Sequence, residues 1–236
     1  MYKPEFTRKS DGTPILSNIG IDHDAEEMLK DFYQFPALVP QKLDVRAFIE
    51  DYMGLLLYRA SLTPDQSILG RMIFNDRRVP EYDPLHEEVL MKFELRGTIL
   101  VEERLTVRDK SHRILRSTIL HEAGHWIYHN ELYTQRESEM PACRMKDIDD
   151  TGRHELVTQS DWLEHQVQYF SSAILMPRSV IFNMLRDPEV RNKAIWDRYY
   201  FVQSLSDIFD VSESMAWIRM ENLGLYKNRI AVPGRF

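Results

Sequence analysis

Three residues stand out for chemistry: His121, Glu122 and His125, which spell H-E-x-x-H. On a helix, residues four apart stand one above the other on the same face. Both imidazoles then aim a nitrogen at one point beside the helix. Zinc suits that point, since it takes imidazole nitrogen at about 2.0–2.1 Å. Glu122, one residue past the first histidine, reaches an activated water there without ligating the metal, which is the position of a general base. A bare H-E-x-x-H arises by chance in roughly a few per cent of chains this long, so the context decides. Residues 113–128 contain no Pro, and their only Gly is Gly124, inside the motif. Ile114, Leu115, Ile119, Ala123, Trp126 and Ile127 make this helix apolar over much of its girth, the pattern of a buried helix. Buried polar groups cost free energy when unpaired. A shared metal satisfies both histidines; the competing reading is a hydrogen-bonded pair of core histidines.

His129 continues the series but is a poor third ligand. An unbroken helix rises about 1.5 Å per residue, which puts it about 12 Å from His121. A Gly three residues past the second histidine would break the helix, as in metzincins; Tyr128 occupies that position. The third ligand is expected downstream. Thr158 and Asp161 form a T-x-x-D capping pair, and a helix runs from there to about Met176, stopped by Pro177. Asp161, Glu164 and His165 are the candidates on it. Asp161 is taken by capping. His165 turns about 100° away from Glu164, onto the polar face. Glu164, one turn inside the helix and flanked by Leu163 and Val167, is the expected ligand. Two His and one Glu leave a fourth position for water, as a catalytic zinc requires. The bland alternative for Glu164 is a solvated helix carboxylate.

Two stretches carry a resemblance: T-I-L-H-E-A-G-H-W-I-Y-H at 118–129, and W-L-E-H-Q-V-Q-Y-F-S-S-A-I-L-M-P at 162–177. The chain resembles the ImmA/IrrE-type metallo-endopeptidases over roughly residues 43–226, with weaker likeness at 67–75 and 211–225. The second stretch is similar to that family's E-x-x-A-N-x-F-A-A-x-L-L-M-P helix, whose leading Glu falls on Glu164. The resemblance implies a gluzincin-like α+β fold and an intracellular zinc peptidase that cuts a helix-turn-helix transcriptional repressor. Gln168 departs from the family's Asn or Asp, the residue placed to accept a hydrogen bond from a ligating histidine. Ser171 and Ser172 replace Ala-Ala, a change between small residues.

The elements that must position these residues follow from patterning. Residues 1–20 read as a loose leader. Residues 22–35 read as a helix closed by Pro36, with Ala25, Met28, Leu29, Phe32 and Tyr33 inward. Asp44 caps a second helix that ends near Gly54. Strands are expected at 55–60, 68–74 and 98–102, with a further one at 89–95. Arg77 and Arg78 read as solvated loop charges. The expected fold class is α+β and zincin-like: a small, mostly antiparallel sheet packed on the H-E-x-x-H helix, with C-terminal helices. An edge strand, 67–74 or 98–102, would take the substrate by β-augmentation. Residues 131–156 are polar and read as an irregular loop walling the cleft. Cys143 and His154 fall in it as ordinary loop residues, with zinc ligation by a Cys143 thiolate as the weaker reading. His129, His154 and Tyr169 are candidates for stabilising an oxyanion.

Three segments are expected: 1–42, a leader and helix; 43–186, the metallopeptidase domain; and 187–236, a helical region packed on it. A helix is read at 179–186, at the end of the second segment, and within the last segment helices are read at 190–209 and 213–223. Their helix-turn-helix outline invites a DNA-binding reading, but 213–223 carries Glu213, Arg219 and Glu221, one cation against two anions. A groove reader should be basic there, and the net charge of −7 over 236 residues points the same way. Direct DNA binding is not expected. A single Cys excludes an intrachain disulfide framework and a Cys-rich zinc site. Residues 1–14 lack the apolar core of a signal peptide, and no apolar run approaches the 18 or so residues of a membrane span. The chain is therefore expected to be cytoplasmic. The readings in competition are a repressor-cleaving zinc endopeptidase, a non-catalytic metal-containing module that grips a partner protein, and a DNA-binding regulator.

Overall fold

A computed structural model describes residues 1–106, 109–136, 141–144 and 156–226. Helix α1, Asn18–Tyr33, starts where the Ser17 hydroxyl accepts from the Gly20 amide, and closes on Gln34 in the left-handed region at φ 52°. The Asp44 carboxylate accepts from the Ala47 amide to open α2, Val45–Ala47, which runs on as a π-turn over Phe48–Tyr52. Gly54, at φ +68°, turns the chain out of it. Five strands follow: β1 Leu56–Ala60, β2 Ile68–Met72, β3 Arg77–Asp83, β4 Glu88–Glu94 and β5 Thr98–Glu102. Then come α3, Asp109–Gln135, the short strand β6, Ala142–Arg144, and α4, Gln159–Leu175. The chain continues through α5 Arg178–Met184, α6 Pro188–Trp196, α7 Arg198–Phe209 and α8 Glu213–Asn222.

The architecture is α+β. One sheet has the order β1-β5-β2-β6, with β1 parallel to β5 and the other pairs antiparallel; β3 and β4 form a separate hairpin. This overturns the expectation that 67–74 or 98–102 is an edge. Both are interior: β1 lies alongside β5, and the 131–156 region supplies β6, which covers the outer side of β2. Arg77 and Arg78 belong to a strand rather than a loop.

Helix α3 packs directly on β2, and the contact depends on Gly70. A Cβ there would lie 2.6 Å from Thr118 Cγ2 and 3.0 Å from Glu122 Cγ, closer than buried atoms tolerate. Overpacking of this kind costs about 1–3 kcal/mol. Gly70→Ala is expected to lose that much in chemical denaturation, and an unchanged midpoint would contradict the contact.

Three further expectations are corrected. Helix α3 continues through residues 131–135 because its apolar face does: Leu132 and Tyr133 are buried, and the Tyr133 ring packs tilted against Phe74 with ring centroids 5.0 Å apart. The leader is not loose. Phe6 packs edge-on against Tyr128. Arg8 donates to the Tyr128 carbonyl at 3.1 Å and pairs with Glu131. Gln166 donates to the Pro14 carbonyl at 2.9 Å. The single helix expected at 190–209 is two. Asp197 leaves helical geometry at φ −131° and ψ 70°, and its carboxylate caps α7 at the Tyr200 amide.

One apolar cluster takes in Met28 of α1, Ile99 of β5, Leu120 of α3, Phe170 of α4 and Met220 of α8. No helix among the described residues is long and apolar enough to cross a membrane.

Candidate metal centre

Helix α3 supplies His121, Glu122 and His125, and α4 supplies Glu164. The two helices approach closely because Gly124 sits between the motif histidines; a Cβ there would lie 3.1 Å from Val167. The start of α4 is pinned by a capping box, with Thr158 bonding the Asp161 amide and Asp161 bonding back. This is the role expected of Asp161. Glu164 falls one turn inside.

His121 Nε2 lies 3.1 Å from Glu164 Oε2, and His125 Nε2 lies 3.5 Å from Glu164 Oε1. One donor atom from each of the three lies within 4.8 Å of the other two. His125 is fully buried, and its Nε2 has no hydrogen-bond partner among the described residues. A buried nitrogen aimed at a carboxylate and a second imidazole is satisfied by a cation held between them. The three residues therefore fit a zinc ion. His165 turns aside to Asn18, with its Nε2 3.3 Å from the Oδ1.

The electrostatics favour ligation. Burial holds His125 well below the ordinary imidazole range, which keeps it neutral with a lone pair to give. For Glu164 burial opposes charge, but the imidazoles beside it, with His121 Nε2 in hydrogen-bond reach, outweigh burial and hold the carboxyl below the usual carboxylate range. Glu122 is fully buried and pushed up to about 7 by desolvation, against the opposing effects of His121 and the Cys143 amide.

Cys143 is not an ordinary loop residue. It lies fully buried on β6, and its amide donates to Glu122 Oε1 at 3.0 Å. The Cys143 sulfur, a His121 nitrogen and a Glu122 oxygen form a second group within 4.8 Å of one another. The available signal was the residue type, since free Cys is among the most buried residues and this one sits in a polar stretch. His154 lies outside the described residues.

Two oxyanion candidates are committed elsewhere. His129 is buried between His125, at 3.0 Å on one ring nitrogen, and Gln166, at 3.0 Å on the other. The Tyr169 hydroxyl donates to Asp22 at 2.9 Å. Gln166 carries no mark in the sequence; the resemblance points instead to Gln168, four residues past Glu164, as the position of the acceptor. Burial of a Gln inside an amphipathic helix leaves no periodic trace.

No family model matches the chain, and no curated protein matches it.

Proposed function

We propose that this chain is a zinc-dependent endopeptidase of zincin-like fold, with His121, His125 and Glu164 as ligands and Glu122 as general base. One observation carries the reading: two imidazoles and a carboxylate from two helices converge within 4.8 Å, and a second, buried carboxylate stands beside them without belonging to that set. When bound, zinc supplies Lewis acidity towards a carbonyl and a water. Glu122 takes the proton of the attacking water and delivers it to the leaving amine. Burial raises the Glu122 carboxyl above the ordinary carboxylate range, the direction that favours accepting and returning a proton. Among the described residues β6 is the sheet edge beside Glu122, so an extended substrate pairs there through main-chain bonds.

The resemblance at 118–129 and 162–177 supports an intracellular helix-turn-helix repressor as the substrate. A DNA-binding role is disfavoured by the single cation of α8, since Arg219 is fully buried against Asp22 and out of reach of a phosphate. The binding-module reading draws on the Cys143 amide, which occupies one oxygen of Glu122.

The test is to mix the zinc-loaded chain with purified helix-turn-helix repressors and score cleavage by mass spectrometry, with a chelator control. Chelator-sensitive cleavage at a defined bond supports the peptidase. Stable binding to a repressor without cleavage moves the function to the binding module.

A further inference from the structure

We infer that Gln166 and His129 form a positioning relay that fixes the tautomer of His125 and leaves its Nε2 lone pair facing the metal position. The inference rests on the metal-site reading above. It starts from a backbone carbonyl, which can only accept. Gln166 Nε2 lies 2.9 Å from the Pro14 oxygen, so the amide nitrogen must face Pro14 and the amide oxygen must face the other way. That oxygen, Oε1, lies 3.0 Å from His129 Nε2. Since it too only accepts, the hydrogen of His129 is on Nε2. A neutral imidazole carries one N–H, so His129 Nδ1 is an acceptor. It faces His125 Nδ1 at 3.0 Å, and that nitrogen must therefore be the donor. His125 then carries its hydrogen on Nδ1, and its Nε2, beside Glu164 and His121, is bare.

Every member of the relay is buried: His125 and His129 fully, and Gln166 with 2% exposure. The relay is thus shielded from bulk water. The direction of the chain is thus imposed from Pro14, in the segment laid across α3 and α4. Were His125 to take the other tautomer, its proton would occupy the place of the metal, and two bare Nδ1 atoms would face each other at hydrogen-bond distance. Ligating histidines commonly donate their second N–H to an orienting acceptor. Here the acceptor is another imidazole, held in turn by an amide, and neither was placed in the ligand set. His129 and Gln166 are positioning residues, acting through His125.

The test combines two measurements. The first is the ring-nitrogen protonation pattern of His125 and His129 in zinc-free wild type, read by two-bond proton–nitrogen correlation NMR. Expected are an Nδ1–H on His125 and an Nε2–H on His129; an Nε2–H on His125 overturns the relay whatever the variants do. The second is zinc affinity by chelator competition for wild type and Gln166→Leu, with circular dichroism to establish that the variant is folded. The expected loss is about 10–100-fold, with His125 shifting to a mixture of tautomers. A folded Gln166→Leu that binds zinc as tightly as wild type overturns the relay and leaves the metal site standing. Wild type that takes up no zinc overturns the site and the relay together.

Discussion

Glu122→Gln is expected to bind zinc as wild type does and to lose about 10²–10⁴-fold in peptide hydrolysis, the range of a positioned acid–base group. The amide keeps the shape of the carboxyl and an oxygen for the Cys143 amide, which bonds Glu122 Oε1 at 3.0 Å. The seat of α3 on β2 is therefore preserved. What is lost is the capacity to hold a proton. Glu122 stands outside the His121, His125 and Glu164 triad, so metal content should not change. The measurement is kcat/KM on the cleaved repressor with zinc content determined on the same samples. A variant that still cleaved at the wild-type rate would refute Glu122 as the base; one that lost its zinc would make Glu122 a ligand.

Arg219→Ala is expected to cost about 3–5 kcal/mol of folding stability, the scale for breaking a buried ion pair from one side. Arg219 is fully buried, pairs with Asp22 of α1, donates through Nε to the Met176 carbonyl at 3.1 Å, and lies over the Tyr169 ring. Removing it leaves Asp22 buried, with the Tyr169 hydroxyl as its one remaining side-chain donor among the described residues. The double variant Asp22→Asn with Arg219→Ala should recover part of the loss, because it removes the stranded charge. Chemical denaturation of the two variants beside wild type reads both effects. A loss below about 1 kcal/mol for Arg219→Ala, the size of an exposed pair, would contradict the buried geometry. The residue also ties α8 to α1 and to the end of α4, the helix that carries Glu164. A single cation in 213–223, read from the sequence as too little charge for a DNA groove, turns out to be a core residue.

Much of the site was legible because it rests on local rules. The i, i+4 spacing of His121 and His125, the capping pair Thr158 and Asp161 and the stop at Pro177 each act within a turn or two of helix. Glu164 followed from them, and the three side chains do converge. The strand at 98–102 was legible in the same way, as an apolar run after Gly97, which takes φ +86°. What was not legible is non-local. Whether a strand lies inside a sheet or at its edge depends on partners far along the chain, and β2 gains its second neighbour from residues 142–144, where three residues show no usable alternation. The leader carries no periodicity, yet Arg8 and Pro14 bond to α3 and α4 through backbone carbonyls, contacts that leave no mark on residue type. Gln166 and His129 were missed as a pair for a related reason: they lie on different helices, and only the crossing of α3 over α4 brings them together.

In the proposed site, three residues from two helices hold one zinc ion. The most direct test is metal stoichiometry by mass spectrometry on wild type and Glu164→Ala, each purified without chelator. About one zinc per wild-type chain and weakened retention in the variant are expected, since two histidines alone leave the site a ligand short of the three that catalytic zinc takes from protein. Wild type that stays metal-free after zinc is added back would contradict the site, and would return His121 and His125 to a pair of buried core histidines.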